Sequence, residues 1–196
     1  MRVILVFCVM CIMLVSCENT TGKSKSKAQK DSLNKTQLMA SIQSLEDSLN
    51  TFGKEYSENA RSMDKSSRIA LETNISVARQ EFINRNLTYY KSFPKDSLSV
   101  QCLMRVYGLY DEVHDYKFAL AYLDTIEINY PDFVFSIQIL ESKAVSLDYF
   151  IEPRDTAKIR VAYERLLDLP QLPPEKQTMY KDRLSNLDKG LEDIIP

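Results

Sequence analysis

Apolar residues recur at helical spacing along most of the chain. Leu38, Ile42, Leu45, Leu49 and Phe52 lie 4, 3, 4 and 3 apart, which lays one stripe on an amphipathic helix. Gly53 is expected to end it. A second helix is predicted from near Ser66, with Leu71, Ile75, Ala78, Phe82 and Tyr89 on its stripe. It should stop before Pro94, because a residue preceding proline avoids the helical region. A third covers 98–112 with Leu103, Val106, Tyr107 and Tyr110 inward, and a fourth covers 116–129 with Ala119, Leu123 and Ile126 inward. The fifth, 133–150, is apolar around its first turns and is expected to be the most buried. The sixth starts near Asp155, a good N-cap, and ends before Pro170. The seventh opens at Pro174-Glu175, since proline suits a first helical turn. Its stripe is Tyr180, Leu184, Leu187, Leu191 and Ile194. No segment alternates as a strand does, and no Asn-Gly or Asp-Gly hairpin turn occurs.

The pattern is different before Thr36. Thirteen apolar residues, Val3 to Val15, follow Met1-Arg2. They fit a signal-peptide core and are too short for a span of ~20 residues. Leu14-Val15-Ser16-Cys17 closes the run and resembles the lipobox of bacterial lipoproteins. The resemblance implies cleavage after residue 16 and a lipidated Cys17 at the mature N-terminus, and two or more acyl chains anchor stably where one is marginal. Residues 18–35 carry Lys23, Lys25, Lys27, Lys30 and Lys35, with Leu33 their one large apolar side chain. That composition buries too little surface to offset ordering entropy. The expected organisation is a signal peptide (1–16), a lipidated, disordered tether (17–35) and a helical-repeat domain (36–196). Glu18 followed by lysines is a poor match to the acidic surface-export signal of some bacteria, which points to the periplasmic face.

Helix ends recur at Phe93-Pro94, Tyr130-Pro131 and Leu169-Pro170, 37 and 39 residues apart. The unit is therefore a helix pair. The middle unit resembles a tetratricopeptide repeat through Leu103, Val106, Tyr107, Tyr110, Ala119, Leu123, Ile126 and Pro131. Tyr110, Ala119 and Pro131 are the family residue types, whereas Tyr107 replaces a glycine and Ile126 a usual alanine. Ala119 is small where paired helices approach, and Pro131 terminates the second helix. The flanking units are degenerate: Phe82 and Asn86 occupy inward slots of one, and Ala162 and Leu166 fit the other only after a shift. The layout also resembles a set of bacterial tetratricopeptide-type lipoproteins, with a coiled-coil-like N-terminal helix, the junction Phe93-Pro94-Lys95-Asp96-Ser97 and a leucine-rich terminal helix, Leu184–Ile195. The resemblance implies an all-α, right-handed superhelical stack of antiparallel helix pairs. The N-terminal helix and a capping seventh helix close its ends.

Composition narrows the chemistry. With 25 Lys+Arg against 27 Asp+Glu, the net charge is −2, so a nucleic-acid footprint is not expected. Four glycines in 196 residues disfavour phosphate loops and Rossmann units. Cys8-Val9-Met10-Cys11 has a redox or zinc spacing but lies in the cleaved core. Residues 17–24 nearly spell a phosphate loop, without its first glycine or a preceding strand. His114, the single histidine, reads as a turn residue, since zinc needs three or four ligands. Cys102 reads as a small core residue. Glu46-Asp47, Asp111-Glu112 and Glu192-Asp193 are adjacent, so each pair diverges on a helix. Neither a Gly-x-Ser-x-Gly elbow nor His-Glu-x-x-His occurs. Eleven tyrosines are the one surplus, and tyrosine is enriched at interfaces.

The expected protein is a non-enzymatic lipoprotein without cofactor or metal, anchored in the envelope of a Gram-negative bacterium, at the outer membrane facing the periplasm. It would act as an interaction scaffold whose helical groove receives a protein or peptide. The alternatives are a self-associating assembly subunit, a homo-oligomer through the Leu38–Phe52 stripe, and, last, a small-ligand-binding or hydrolytic periplasmic protein.

Overall fold

The structure is a computed structural model that describes residues 21–133 and 136–189, with side chains from Asn34 onward. All of its regular structure is helical: α1 (Thr21–Asn59), α2 (Lys65–Ser92), α3 (Ser97–Glu112), α4 (Tyr116–Asn129), α5 (Ser136–Tyr149), α6 (Thr156–Leu167) and α7 (Pro174–Ser185). The chain divides within α1. The described residues up to Ser41 belong to one unit and those from Ile42 onward to a second.

Aspartates open three helices. Asp64 accepts from the Ser66 and Ser67 amides at 2.8 and 3.0 Å, Asp96 from Leu98 at 2.9 Å, and Asp155 from Lys158 at 3.1 Å. Each satisfies donors that a first turn leaves without partners. From α2 onward each helix packs on its neighbours in the chain: α2 on α3, α3 on α4, α4 on α5, α5 on α6 and α6 on α7.

Two apolar clusters hold the second unit. Val100, Leu103, Leu123, Ile126 and Ile139 form one. Ala144, Ile159, Ala162, Tyr163, Leu166, Leu172, Tyr180 and Leu187 form the other. Helix α5 joins them, giving Ile139 to the first and Ala144 to the second.

Several sequence expectations need correction. In the structure residues 21–35 form the first turns of α1, which begins at Thr21. Lysine, glutamine and alanine are fair helix formers, and a helix once nucleated extends one residue at a time without a new nucleus. Gly53 does not end α1, which runs to Asn59. A terminating glycine adopts a left-handed conformation, and no described glycine has a positive φ. Helix α5 is not an apolar rod, since its buried residues are Ile139, Ala144, Ser146 and Asp148. Its expected first turn starts too early, at Phe133, which precedes the helix, and residues 134–135 lie outside the described residues. Helix α7 ends at Ser185, so Leu187 is buried from a turn beyond it. Cys17, the expected signal peptide (1–16), Leu191 and Ile194 lie outside the described residues.

Candidate functional site

The residues singled out by the repeat pattern come together between α3 and α4. Leu103, Val106, Ala119, Leu123 and Ile126 are all buried. Tyr107 and Tyr110 are half-buried beside them, and Pro131 occupies an exposed turn after α4. The turn is fastened from the other side, as the Tyr130 hydroxyl donates to the Pro94 carbonyl at 2.7 Å. These residues are packing elements, and no reactive group converges on them.

His114 occupies the α3–α4 turn with φ 61°, a left-handed conformation that histidine tolerates better than most residues. Its Nδ1 lies 3.0 Å from the Tyr116 hydroxyl. Cys102 is fully buried, and burial pushes its thiol up to about 11. The nucleophilic thiolate is therefore scarce at neutral pH. Among the described residues, no group of three or more His, Cys, Asp or Glu is arranged to hold a metal ion, and no helix is long and apolar enough to cross a membrane.

A recess of about 460 Å³ opens between α4, α5 and α6. Leu120 of α4, Leu140 and Leu147 of α5, and Val161 and Ala162 of α6 give it apolar walls. Val161 is 57% exposed. A charge chain crosses the three helices at the same place. Lys143 on α5 reaches Asp124 at 2.6 Å and Glu127 at 2.9 Å, and Glu127 also pairs with Arg165 on α6. Burial opposes the charge on Lys143, but the hydrogen bonds and charges of the two acids outweigh it and hold its pKa above the usual value.

The feature that sequence reasoning missed is ionic and buried. Asp148, at the end of α5, has a side chain with no exposure. It accepts from Arg183 Nε at 2.6 Å and Nη2 at 2.8 Å, from Arg154 Nη2 at 2.7 Å, and from the Tyr163 hydroxyl at 3.1 Å. Arg154 also donates to the Leu187 carbonyl and Arg183 to the Asn186 carbonyl. One carboxylate thus gathers α5, α6, α7 and the segments before α6 and after α7. Burial alone would raise its pKa; the hydrogen bonds from Arg183 and Arg154, with the Arg183 charge, overcome that and bring it below the usual carboxylate range. A second node repeats the design, as Glu141 accepts from Lys176 and Tyr180, each at 2.6 Å.

The tyrosine surplus divides between these roles and the surface. Tyr110 stacks on Phe118 and Tyr122, with ring centroids 5.2 and 5.6 Å apart, and Tyr116 stacks on Phe150 at 4.1 Å. Phe118 and Phe150 remain about half exposed. A surplus in composition gave no means of sorting core from surface. Compared with known proteins, the chain matches no family model, no curated protein and no solved structure.

Proposed function

We propose that this chain is a non-enzymatic lipoprotein, held through a lipidated Cys17 in the envelope of a Gram-negative bacterium, that uses its stacked helices as a protein-interaction scaffold. In this reading the helix pairs are tetratricopeptide-like repeats in a right-handed stack. The observation that carries it is the apolar recess at the seam of α4, α5 and α6, rimmed by the Asp124–Lys143–Glu127–Arg165 charge chain. A recess with apolar walls and charges at its edge suits an apolar side chain of a partner segment flanked by polar ones. We place it at the outer membrane, and on its periplasmic face because Glu18 followed by lysines does not match an acidic surface-export signal.

Two measurements test the reading. Labelling cells with radioactive palmitate should mark the wild type and leave Cys17→Ala unlabelled; label on both, or on neither, removes the anchor. A photoreactive residue placed at Val161 should capture one discrete protein from intact envelopes, while the same residue at Met179, also exposed but on α7, should not. Equal capture from both positions, or none from Val161, defeats the scaffold reading.

A further inference from the structure

A second recess, of about 500 Å³, lies between α1, α2 and α3, and two of its features are only partly accounted for by contacts within the chain. The first is a pair of glycines, Gly53 on α1 and Gly108 on α3, both lining it. Each is inside a helix, where glycine costs about 1 kcal/mol relative to alanine. Neither has a positive φ, and a Cβ added at either would meet nothing within 4 Å. Neither backbone conformation nor packing by the chain itself therefore requires glycine.

The second feature is a pair of arginines. Arg79 and Arg105 line the same cleft, and Arg79 Nε and Arg105 Nη1 are buried with no hydrogen-bond partner. A buried donor of a charged group left unsatisfied is costly. The acids beside these arginines do not cure it. Glu112 accepts from Arg79 Nη2 at 3.3 Å and Glu46 is 3.6 Å from Arg105 Nη2, both long against the ~2.7–2.9 Å of a good charged pair. Glu112 is also well exposed. Three cationic side chains, Lys54 among them, face two acidic ones around the cleft.

We propose that this cleft binds an amphiphilic anion, with a carboxylate or phosphate head held between Arg79 and Arg105 and an apolar body against Leu49, Ile75 and Phe82. A guanidinium offers a planar fork of donors that matches either head. The excess of one positive charge suits a single negative one. Leu49, Ile75, Phe82 and Leu109 supply apolar wall, and the two glycines leave the space that an apolar body fills. The volume falls within the ~300–1,000 Å³ of small-molecule sites. The inference rests on a different recess from the scaffold reading, and either can fail alone.

The test uses the full chain in nanodiscs of zwitterionic phosphatidylcholine, with leucine and isoleucine methyls labelled for NMR. It is titrated with octanoate and octyl phosphate, against octanol (no charge) and acetate (no tail). Saturable shifts at Leu49, Ile75 and Leu109 are expected with at least one of the two acids, and affinity about tenfold weaker for octanol, which lacks the charged hydrogen bonds, and for acetate, which lacks the buried apolar body. The acid that binds tighter identifies the head. Arg79→Gln with Arg105→Gln should lower affinity about tenfold, and Gly108→Leu, which grows into the cleft, should abolish the shifts while helical circular dichroism persists. Should the arginine variant lose its fold, Gly108→Ala still reports, with weakened binding on an intact helix. Octanol binding as well as the acids, binding unchanged in Gly108→Leu, or no saturable shift at these methyls overturns the proposal.

Discussion

The α3–α4 pair and the α5–α7 segment are both helical and both well packed, yet they are held by different chemistry. Between α3 and α4 the inward residues are aliphatic: Leu103, Val106, Ala119, Leu123 and Ile126 are buried to 1% exposure or less. Between α5 and α7 the buried set includes Asp148, Ser146 and Arg183, and tyrosine hydroxyls end on carboxylates. Apolar burial is non-directional and scales with area, so the first region should yield by degrees. An ionic clasp is directional. Removing one partner leaves the others buried and unpaired, so the second region should fail at a single atom group.

The largest expected effect follows directly. Asp148→Ala leaves Arg183 and Arg154 without their shared acceptor and should cost about 3–5 kcal/mol, measured by urea unfolding. Replacing the pair together, Asp148→Leu with Arg183→Met, should recover part of that loss, because similar-sized apolar pairs substitute for buried ion pairs at little cost, while Arg154 and Tyr163 still lack their acceptor. If the single variant loses under 1 kcal/mol, the contrast between the regions is wrong. In the apolar region, Leu123→Ala should cost about 3 kcal/mol through lost transfer and cavity terms, with Leu123→Met far milder. No second substitution should rescue it as the double variant rescues Asp148.

A smaller effect separates the regions by pH. The Asp148 carboxyl is held below its ordinary range in the folded state, and an unfolded aspartate titrates near ~3.9. Its contribution is therefore fully present above about pH 4 and fades as pH falls through the lower, folded value. The melting temperature of the wild type should fall more steeply below about pH 4 than that of Asp148→Asn, and the two profiles should run parallel above it. Parallel profiles throughout would show that this carboxylate gains nothing on folding.

The same contrast explains what was legible in the sequence. The bounds of α4, 116–129, were readable because Asp115 precedes the helix, Pro131 follows it, and Ala119, Leu123 and Ile126 keep helical spacing between them. The helix-rich class and most of the apolar core followed from the same periodicity. Asp148 was not legible, because an aspartate in a helical segment reads as solvated surface, and its partners lie 6, 15 and 35 residues away. Arg183 was missed for the same reason: it looks like an outward position beside the Tyr180, Leu184 and Leu187 stripe. Nor was the α4–α6 recess readable, since it depends on how three helices meet.

The smallest expected effect lies in α3 itself, where the apolar region carries a residue that its own packing does not need. Gly108 has open space beside it and an ordinary helical backbone. Alanine there removes backbone freedom from the unfolded chain and adds no clash. Gly108→Ala should therefore stabilise by about 0.5–1 kcal/mol, raising the melting temperature by roughly 1–4 °C for a chain of this size. The gain should be additive with Asp148→Ala, because the two sites share no partner and additivity holds for independent positions. A loss of stability on Gly108→Ala would mean that α3 is packed against something at that point. Non-additivity would mean that the apolar pair and the ionic clasp answer to one another rather than standing as separate constructions on a common α5.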